Sequence, residues 1–278
     1  SHTILGSRNQ RGLTQLSLDV LFRSISSNML DTNTTPSLHA SVAASDPSEA
    51  QVMSAPQFLD IIYGDPSAPS RASSRAPTPM VGETPRRQLL QRPSVLPPML
   101  PDISSITVDC DTDAEYAILI SMYEVYNDRI FDLLTPGIRS ASSKDFRRRP
   151  LLFKSTEHSP DRKVVAGLRK VICNNVKDAL MVLEAGLHER RVAGTGSNSV
   201  SSRSHGFFCV EVKKRRRTRI PMAWSTSAFT IVDLAGSERA RDAKTQGATL
   251  AEAGKINESL MYLGQCLQMQ SDLTNSSK

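Results

Sequence analysis

Apolar residues recur at helical spacing in three segments of the chain, and each segment predicts an amphipathic helix. The first lies within residues 18–25, and its apolar face consists of Leu18, Leu21, Phe22 and Ile25. The second begins after Asn175, a residue type that caps helices, and Asp178 stands at its third position. The apolar face of this second helix consists of Val176, Ala179, Leu180, Leu183 and Leu187.

The third predicted helix begins near Leu250. Its apolar stripe consists of Leu250, Ala253, Ile256, Leu260, Leu263 and Leu267. We expect this stripe to lie in the core, because an apolar stripe at helical spacing is most often buried. The opposite face, which we expect to be free to contact a partner, carries Lys255, Glu258 and Gln265.

Continuous apolar runs between the helices predict strands. The runs lie at residues 116–123, 207–212 and 229–233. The last two are joined by a very basic run and a loop that contains Pro221, and we expect them to be neighbours in a sheet. Strands that alternate with helices predict an α/β fold, with a mixed central sheet flanked by helices.

Residues 31–113 show neither the helical nor the strand period. They are dense in serine, proline, threonine and alanine, most of all at residues 65–79. A segment of this kind buries too little apolar surface to offset its chain entropy, so we predict a long disordered insertion. We also expect folding and basal activity to survive deletion of most of it, because loop-closure entropy changes slowly with loop length.

The composition indicates a globular protein of a reducing compartment. Its 278 residues are 39% hydrophobic and 22% charged, which is near the average for globular domains. The four cysteines lie far apart and form no Cys-x-x-Cys pair, which argues against a zinc site or a disulfide framework. No apolar run approaches the length of a membrane span and no signal peptide opens the chain, so we expect no membrane partner.

The net charge of +6 fits an acidic partner without identifying it. The densest basic run, residues 213–219, lies between the two predicted neighbouring strands, and we expect it to be a solvated hairpin tip. A nuclear-import signal is the second interpretation. Nucleic-acid binding is the third and is not expected, because no aromatic platform accompanies the charge.

Two loops carry residues suited to phosphate chemistry. The loop at residues 198–205 reads Asn-Ser-Val-Ser-Ser-Arg-Ser-His, and its hydroxyl groups can reach a metal ion and an attacking water. In the loop at residues 233–238, Asp233 ends an apolar strand and Gly236 offers a bare backbone N–H that can approach a phosphate oxygen. The alternative is a serine-rich loop and an ordinary acid at a strand end.

Together the two loops resemble switch I and switch II of kinesin motor domains. Residues 1–6 are similar to the kinesin sequence after the P-loop lysine, and residues 123–134 to a kinesin strand-and-turn segment. Residues 186–205 follow the kinesin pattern into switch I, with Glu189 in place of Asn, and residues 249–260 resemble the start of the relay helix. The long insertion is similar to that of the sixth kinesin subfamily, the mitotic-kinesin-like proteins.

This resemblance implies an incomplete kinesin-type P-loop NTPase fold. Residues 1–278 would form a partial motor domain, and residues 31–113 would be an insertion within it. The cofactors would be ATP and Mg²⁺. The resemblance assigns the ion to Ser1 and Ser202 directly and to Asp233 through water.

The same resemblance assigns roles in nucleotide binding and hydrolysis. The residues implied to contact the nucleotide are Ser1, His2, Asn198, Ser201, Ser202 and Gly236. Ser201 would also contact the attacking water, and the Gly236 N–H would donate a hydrogen bond to the γ-phosphate and so respond to its loss. Arg203 and Glu238 would form the salt bridge that closes the two switch loops. For His205 we favour a hydrogen-bonded core histidine over a catalytic base.

The implied partner is the microtubule. In kinesins the loop after the strand-and-turn segment faces tubulin, whose surface is acidic, so we expect Arg147, Arg148 and Arg149 to face the microtubule. We expect the same of Lys255, on the free face of the third predicted helix. Dimerisation would use regions absent from this chain. The expected location is the microtubule cytoskeleton of the cytoplasm, including the spindle, with the nucleus as the alternative.

The function implied is an ATP-dependent microtubule motor. The alternative is a kinesin-like module that binds microtubules or spindle partners without ATP turnover, and the residues that precede Ser1 would distinguish the two. A third interpretation, a disordered scaffold, suits the insertion alone. Because the chain begins inside the P-loop motif, we expect the chain by itself to be inactive as an ATPase.

Overall fold

The computed structural model describes residues 2–7, 9–64, 100–135, 138–139, 146–156, 159–192, 203–236 and 248–276. The helices are α1 (His2–Leu5), α2 (Leu13–Ile25), α3 (Leu38–Ala44), α4 (Ala55–Tyr63), α5 (Val176–Val192) and α6 (Ala248–Ser276), and a 3₁₀ turn (Ser26–Asn28) follows α2. The strands are β1 (Gln51–Ser54), β2 (Ala114–Tyr126), β3 (Arg129–Asp132), β4 (Ile138–Arg139), β5 (Phe146–Arg147), β6 (Pro150–Leu151), β7 (Phe153–Thr156), β8 (Ser159–Val165), β9 (Arg169–Cys173), β10 (His205–Arg216) and β11 (Ser225–Asp233).

A mixed sheet runs through the centre of the described chain in the order β1, β9, β2, β10, β11. β1 pairs with β9 in parallel, and the other neighbours along this path are antiparallel. β2 is central and almost wholly buried, as its continuous apolar run predicts. Helices α2, α4 and α5 pack against the sheet in one large core. The predicted α/β fold with a mixed central sheet is confirmed.

The hairpin between β2 and β3 has a tight two-residue turn. Asn127 and Asp128 occupy it with positive φ angles of 49° and 58°. Positive φ at both central residues matches the right-handed twist of the flanking strands, and Asn and Asp tolerate this region better than most residues. The turn brings Asp132 back opposite Tyr123 in the register of the hairpin.

The start of α5 is capped as the sequence predicts. The side-chain oxygen of Asn175 accepts the Asp178 N–H at 2.8 Å, and the Asn175 amide donates to the Asp178 carboxylate at 3.0 Å. Further along α5, Gly186 lies so close to β2 that an added Cβ would be 2.4 Å from the sulfur of Met122. This glycine therefore allows α5 to lie directly on the sheet.

The prediction that residues 31–113 are disordered is wrong for residues 31–64. Residues within 38–63 form α3, β1 and α4, and the side chains of Leu38, Val42 and Phe58 are 0% exposed. The few apolar residues are grouped at helical spacing in two short stretches, and a composition averaged over the whole segment conceals them. Residues 65–99, which include the most serine- and proline-rich stretch, lie outside the described residues.

Buried charges fasten this segment to the sheet. Lys170 on β9 donates to Asp46, which follows α3, at 2.6 Å and to Glu211 on β10 at 2.5 Å. Burial opposes the charged forms, yet the ion pair lowers the pKa of Asp46 and raises the pKa of Lys170. We therefore expect deletion of residues 31–64 to disturb folding, in contrast to the expectation drawn from the sequence.

The prediction that residues 213–219 form a solvated hairpin tip is wrong at its start. β10 continues to Arg216, so Lys213 lies inside the ladder and its side chain is 1% exposed. The Lys213 amine donates to the Thr226 hydroxyl at 2.9 Å, and burial lowers its pKa. Arg215 pairs with Glu115 at 2.9 Å and stacks on the ring of Trp224. Much of this positive charge is therefore balanced within the molecule.

Helix α6 does not bury its predicted apolar stripe. Leu263 is 39% exposed and Leu267 is 57% exposed. Ile256 and Leu260 are half-buried, and no described element covers the helix beyond Leu260. The helical spacing correctly predicts the helix itself, but spacing alone does not determine whether another element covers the apolar stripe. Among the described helices, none combines the length and the apolar character that a membrane crossing requires.

Candidate functional site

The two candidate phosphate loops meet at one end of the sheet. Ser204 precedes β10 and Asp233 ends β11, and the antiparallel register places Gly206 opposite Asp233. The apolar runs of the two strands therefore deliver both loops to the same edge, as their predicted adjacency requires. Asp233 is 7% exposed and Ser204 is 0% exposed, so both polar groups need partners within the protein.

Arg190 of α5 joins the two loops. One of its Nη atoms donates to the Asp233 carboxylate at 2.7 Å, and the other donates to the Ser204 carbonyl at 2.7 Å. Its Nε donates to the Ser204 hydroxyl at 3.3 Å. The fork of the guanidinium suits this task, because a planar group with several donors can hold two partners at fixed angles. Arg190 is 4% exposed, so the contacts are shielded from solvent.

Gly206 provides the space for this arginine. A Cβ at residue 206 would lie 2.6 Å from an Nη atom of Arg190. Any larger residue on β10 would therefore push the guanidinium away from Asp233 and Ser204, unless the helix moved.

A buried glutamate lies next to Ser204 of the first candidate loop. Glu124 on β2 is 0% exposed, and its carboxylate accepts the Ser204 hydroxyl at 2.8 Å. Nη1 of Arg148 forms an ion pair with the other oxygen of Glu124 at 2.5 Å, and Arg190 Nε lies 3.8 Å from the oxygen that receives Ser204. Two carboxylates, Glu124 and Asp233, thus face two guanidinium groups.

His205 connects both loops to α6. Its Nδ1 accepts the backbone N–H of Ala235 at 3.1 Å, so the ring hydrogen lies on Nε2, which donates to the Ser259 hydroxyl at 3.0 Å. Ser259 in turn donates to the Ile256 carbonyl at 2.7 Å. Burial and the charge of Arg190 lower the pKa of His205, which keeps the ring neutral. The interpretation of His205 as a hydrogen-bonded core histidine is confirmed.

The start of the chain packs close to these loops. The Thr14 hydroxyl of α2 donates to the Ile4 carbonyl of α1 at 2.9 Å. Gly6 has a φ of +79°, and its Cβ would lie 2.5 Å from the nitrogen of Gly12, so the turn between the two helices requires glycine. Residues of α1, β10 and β11 line one cleft together with Arg190. The lining includes Ile4, Leu5, Gly206, Phe208, Ile231 and Asp233.

The predicted site residues are only partly within the described chain. Ser1, Asn198, Ser201, Ser202 and Glu238 lie outside it, and so does the side chain of His2. Asp233 is the last residue of β11, Gly236 follows it by three residues, and Arg203 lies two residues before the start of β10. The predicted bridge between Arg203 and Glu238 therefore stays a prediction.

The expected microtubule-facing set is corrected at Arg148. Its side chain is 10% exposed, pairs with Glu124 and stacks on the ring of Phe131, so it does not present a free charge to a partner. Arg148 lies against β3 just before β6, which pairs with β3, and sequence reasoning could not foresee this pairing. Arg149 is exposed, and the side chain of Arg147 lies outside the described residues. Lys255 is 47% exposed and pairs with Asp128 at 2.8 Å.

Sequence reasoning missed Arg190, Glu124 and Ser204 as connectors of the loops. Arg190 carried a signal, because it continues the buried face of α5 that includes Ala179, Leu183 and Gly186. A charged residue at a buried helical position requires a buried partner of opposite charge. Glu124 carried the same signal within the apolar run of β2.

Comparison with known families decides what this arrangement is. The sequence profile of the kinesin motor domain matches residues 1–277. The chain belongs to the kinesin family. Kinesin-like motor protein 9 of Schizosaccharomyces pombe is 40% identical over 154 residues, which are 55% of this chain and 23% of that protein.

Two solved kinesin structures share the fold. One described as kinesin 6 superposes with a TM-score of 0.60 over 96% of this chain and 60% of that chain, at 22% identity, which establishes the fold alone. KIF14 with ADP in complex with a microtubule superposes with a TM-score of 0.50 over 61% of this chain and 46% of that chain, at 30% identity. The chain spans less than two thirds of the length of each of these relatives.

Kinesin motor domains bind nucleotide, and Asp233 is the residue within the described chain that the resemblance assigns to Mg²⁺. A carboxylate at a strand end and nearby hydroxyl oxygens are the ligands that Mg²⁺ prefers. Asp233 lies close to Arg190, so a cation that approached it would share the carboxylate with the guanidinium. Within the described ranges, no group of three or more His, Cys, Asp or Glu residues could hold a metal ion.

Proposed function

We propose that the protein is an ATP-dependent microtubule motor and that this chain contributes the switch region of its motor domain. The observation that carries the proposal is the joining of both loops by Arg190, which contacts Ser204 and Asp233 at once. A device that senses a phosphate must move two loops together, and one buried side chain between them supplies that connection. The family relationship supports the same conclusion.

The chain's own residues would position the nucleotide and close over it. Ser1 and Ser202 would hold Mg²⁺ directly and Asp233 through water, while His2 and Asn198 would contact the nucleotide. When bound, the ion neutralises charge on the β- and γ-phosphates. Ser201 would orient the attacking water, the Gly236 N–H would donate to the γ-phosphate, and Arg203 would pair with Glu238.

The link from the nucleotide to the rest of the motor would run through His205. Neutral His205 bonds Ala235, next to Gly236, and Ser259 of α6. A movement of switch II would therefore reach α6 through one side chain. We propose that exposed positive charge at Arg149, with Arg147 and the half-exposed Lys255, faces the acidic surface of the microtubule.

The long insertion supports membership in the sixth kinesin subfamily and work on spindle microtubules. That assignment remains part of the proposal, as do dimerisation through other regions of the protein and the inactivity of this chain by itself.

The test is Gly236→Ala in the full-length protein, with Gly264→Ala as the matched control. Residue 264 lies exposed on α6, and an added Cβ there meets nothing within 4 Å. The Cβ at residue 236 should obstruct the backbone approach to the γ-phosphate. We expect ATP turnover to fall on the order of a hundredfold in Gly236→Ala while nucleotide affinity changes little, because the lost contact forms mainly in the transition state.

ATPase rates with and without microtubules, together with ATP affinity, measure this outcome. Equal turnover in Gly236→Ala and Gly264→Ala would remove Gly236 from the mechanism. If the wild-type protein binds microtubules but shows no turnover, the binding-module alternative replaces the motor.

A further inference from the structure

Arg148 lies outside both switch loops, and its burial against Glu124 does not suit the microtubule-facing role that the resemblance implies. It lies directly after β5, and its side chain turns inward over the ring of Phe131, with the guanidinium carbon 4.4 Å from the ring centre. Its Nη1 lies 2.5 Å from Glu124 Oε1. The guanidinium is thus held by an aromatic face and a carboxylate at the same time.

Glu124 needs this partner because its carboxylate is fully buried. A buried carboxylate is costly unless opposite charge and hydrogen bonds compensate it. Ser204 supplies a hydrogen bond at 2.8 Å, but a hydroxyl supplies no full charge. Arg190 lies 3.8 Å from Glu124 and only 2.7 Å from Asp233, so its charge is committed mainly to Asp233.

Among the described residues of this buried group, the ion pairs match two carboxylates with two guanidinium groups. Glu124 and Asp233 carry the negative charges, and Arg148 and Arg190 carry the positive ones. Without Arg148, one guanidinium would face two carboxylates. Arg190 would then be drawn from Asp233 toward Glu124, and the hydrogen bonds that hold Ser204 would be rearranged.

We propose that Arg148 is a positioning residue for the nucleotide site, which acts through Glu124 on Ser204 and Arg190 and thereby on Asp233. Arg148 touches no nucleotide itself in this scheme. It sets the charge balance that keeps Arg190 between the two switch loops. The catalytic part of this inference rests on the proposed ATPase function, while the structural part does not.

The test compares Arg148→Met with Arg219→Met in the full-length protein. Methionine keeps much of the apolar length of arginine and removes the charge, and Arg219 is an exposed arginine in the β10–β11 loop. The first measurement is amide hydrogen exchange at residues 203–206 and 233–236 in nucleotide-free protein. We expect exchange there to rise about tenfold in Arg148→Met and to stay unchanged in Arg219→Met, since a buried ion pair is lost.

The second measurement is steady-state ATPase. We expect kcat to fall about tenfold in Arg148→Met with little change in KM for ATP, because the switch loops act after binding. Arg148→Lys keeps a positive charge near Glu124 and should recover much of kcat. Glu124→Gln should resemble Arg148→Met, and the double variant should be no worse than either single variant, because both remove the same contact.

Several results would overturn the proposal. One is hydrogen exchange at residues 203–206 and 233–236 at the same rate in Arg148→Met and Arg219→Met. Another is a double variant in which the losses of kcat caused by Glu124→Gln and Arg148→Met add. If Arg148→Met alone does not fold, the double variant should fold because it removes both charges, and equal failure of the double variant would also refute the pairing. A wild-type protein without ATPase activity would refute the proposed function, while the exchange measurement would still decide the role of Arg148.

Discussion

Replacing Phe58 by alanine tests whether the folded part of the insertion belongs to the motor core. Phe58 is 0% exposed on α4, in the same hydrophobic cluster as Leu183 of α5 and Val171 of β9. The truncation removes an entire buried ring and leaves a cavity that rigid neighbours on the sheet cannot easily fill. Truncations of buried phenylalanine cost about 3–5 kcal/mol of unfolding free energy.

Ile61 provides the matched control on the same helix. It is 39% exposed, so Ile61→Ala removes apolar atoms that are already partly in water. Its cost should be about 1 kcal/mol or less, since surface substitutions usually have small effects. For a domain of this size, 1 kcal/mol shifts Tm by about 2–4 °C, so Phe58→Ala should lower Tm by about 10 °C and Ile61→Ala by a few degrees.

Circular dichroism during heating of the full-length variants measures the shift, and urea unfolding checks it at constant temperature. Because α4 packs on α5, hydrogen exchange should also increase along α5 in Phe58→Ala. If Phe58→Ala and Ile61→Ala unfold at the same temperature, α4 is not part of the cooperative core. The residues of the insertion would then be dispensable, as the sequence alone suggested.

Two further predictions concern pH. Lys170 lowers the pKa of Asp46 below the value in the unfolded chain, which is about 3.9. The ion pair therefore stabilises the folded protein above about pH 3.9, and this stabilisation disappears as the pH falls through the lower pKa of the folded state. The difference in unfolding free energy between wild type and Asp46→Asn should be constant from about pH 5 to 7 and shrink below about pH 4; a difference that grows on acidification would contradict this. Burial and the charge of Arg190 lower the pKa of His205 below the unfolded value of about 6.5. As the pH falls below about 6.5, His205 is protonated in the unfolded chain before it is protonated in the folded protein, so the free energy of unfolding declines. Between about pH 7.5 and about pH 5.5, the urea midpoint should fall more for the wild type than for His205→Gln. An equal fall in both proteins would show that His205 does not titrate in this way.

The sequence predicted the parts of the fold that local rules determine. The cap at Asn175 and the strands around Ile120 and Val232 follow from hydrogen-bonding groups and apolar runs that lie close together in the chain. The meeting of Ser204 and Asp233 followed from the adjacency of their strands. These features involve neighbouring residues or one hairpin.

The sequence did not predict features that depend on distant contacts. Lys170 meets Asp46 across more than a hundred residues of chain, and nothing near either residue indicates the pairing. Lys213 is buried because β10 continues past the apolar run, supported by its neighbours on both sides. The resemblance and its positive charge place Arg148 at the microtubule-facing surface, whereas in the structure it pairs with the buried Glu124.

The length of β10 has a consequence for observing the protein at work. Its twelve residues pair with β2 along their whole length, and most of them pair with β11 on the other edge. A strand bonded on both edges resists bending and moves as a stiff rod of roughly 35–40 Å. Displacement at the His205 end should therefore be conveyed to the Arg216 end with little loss. A fluorescent or spin label in the exposed turn after Arg216 would act as a remote gauge of the switch region, far enough from it to leave the chemistry undisturbed.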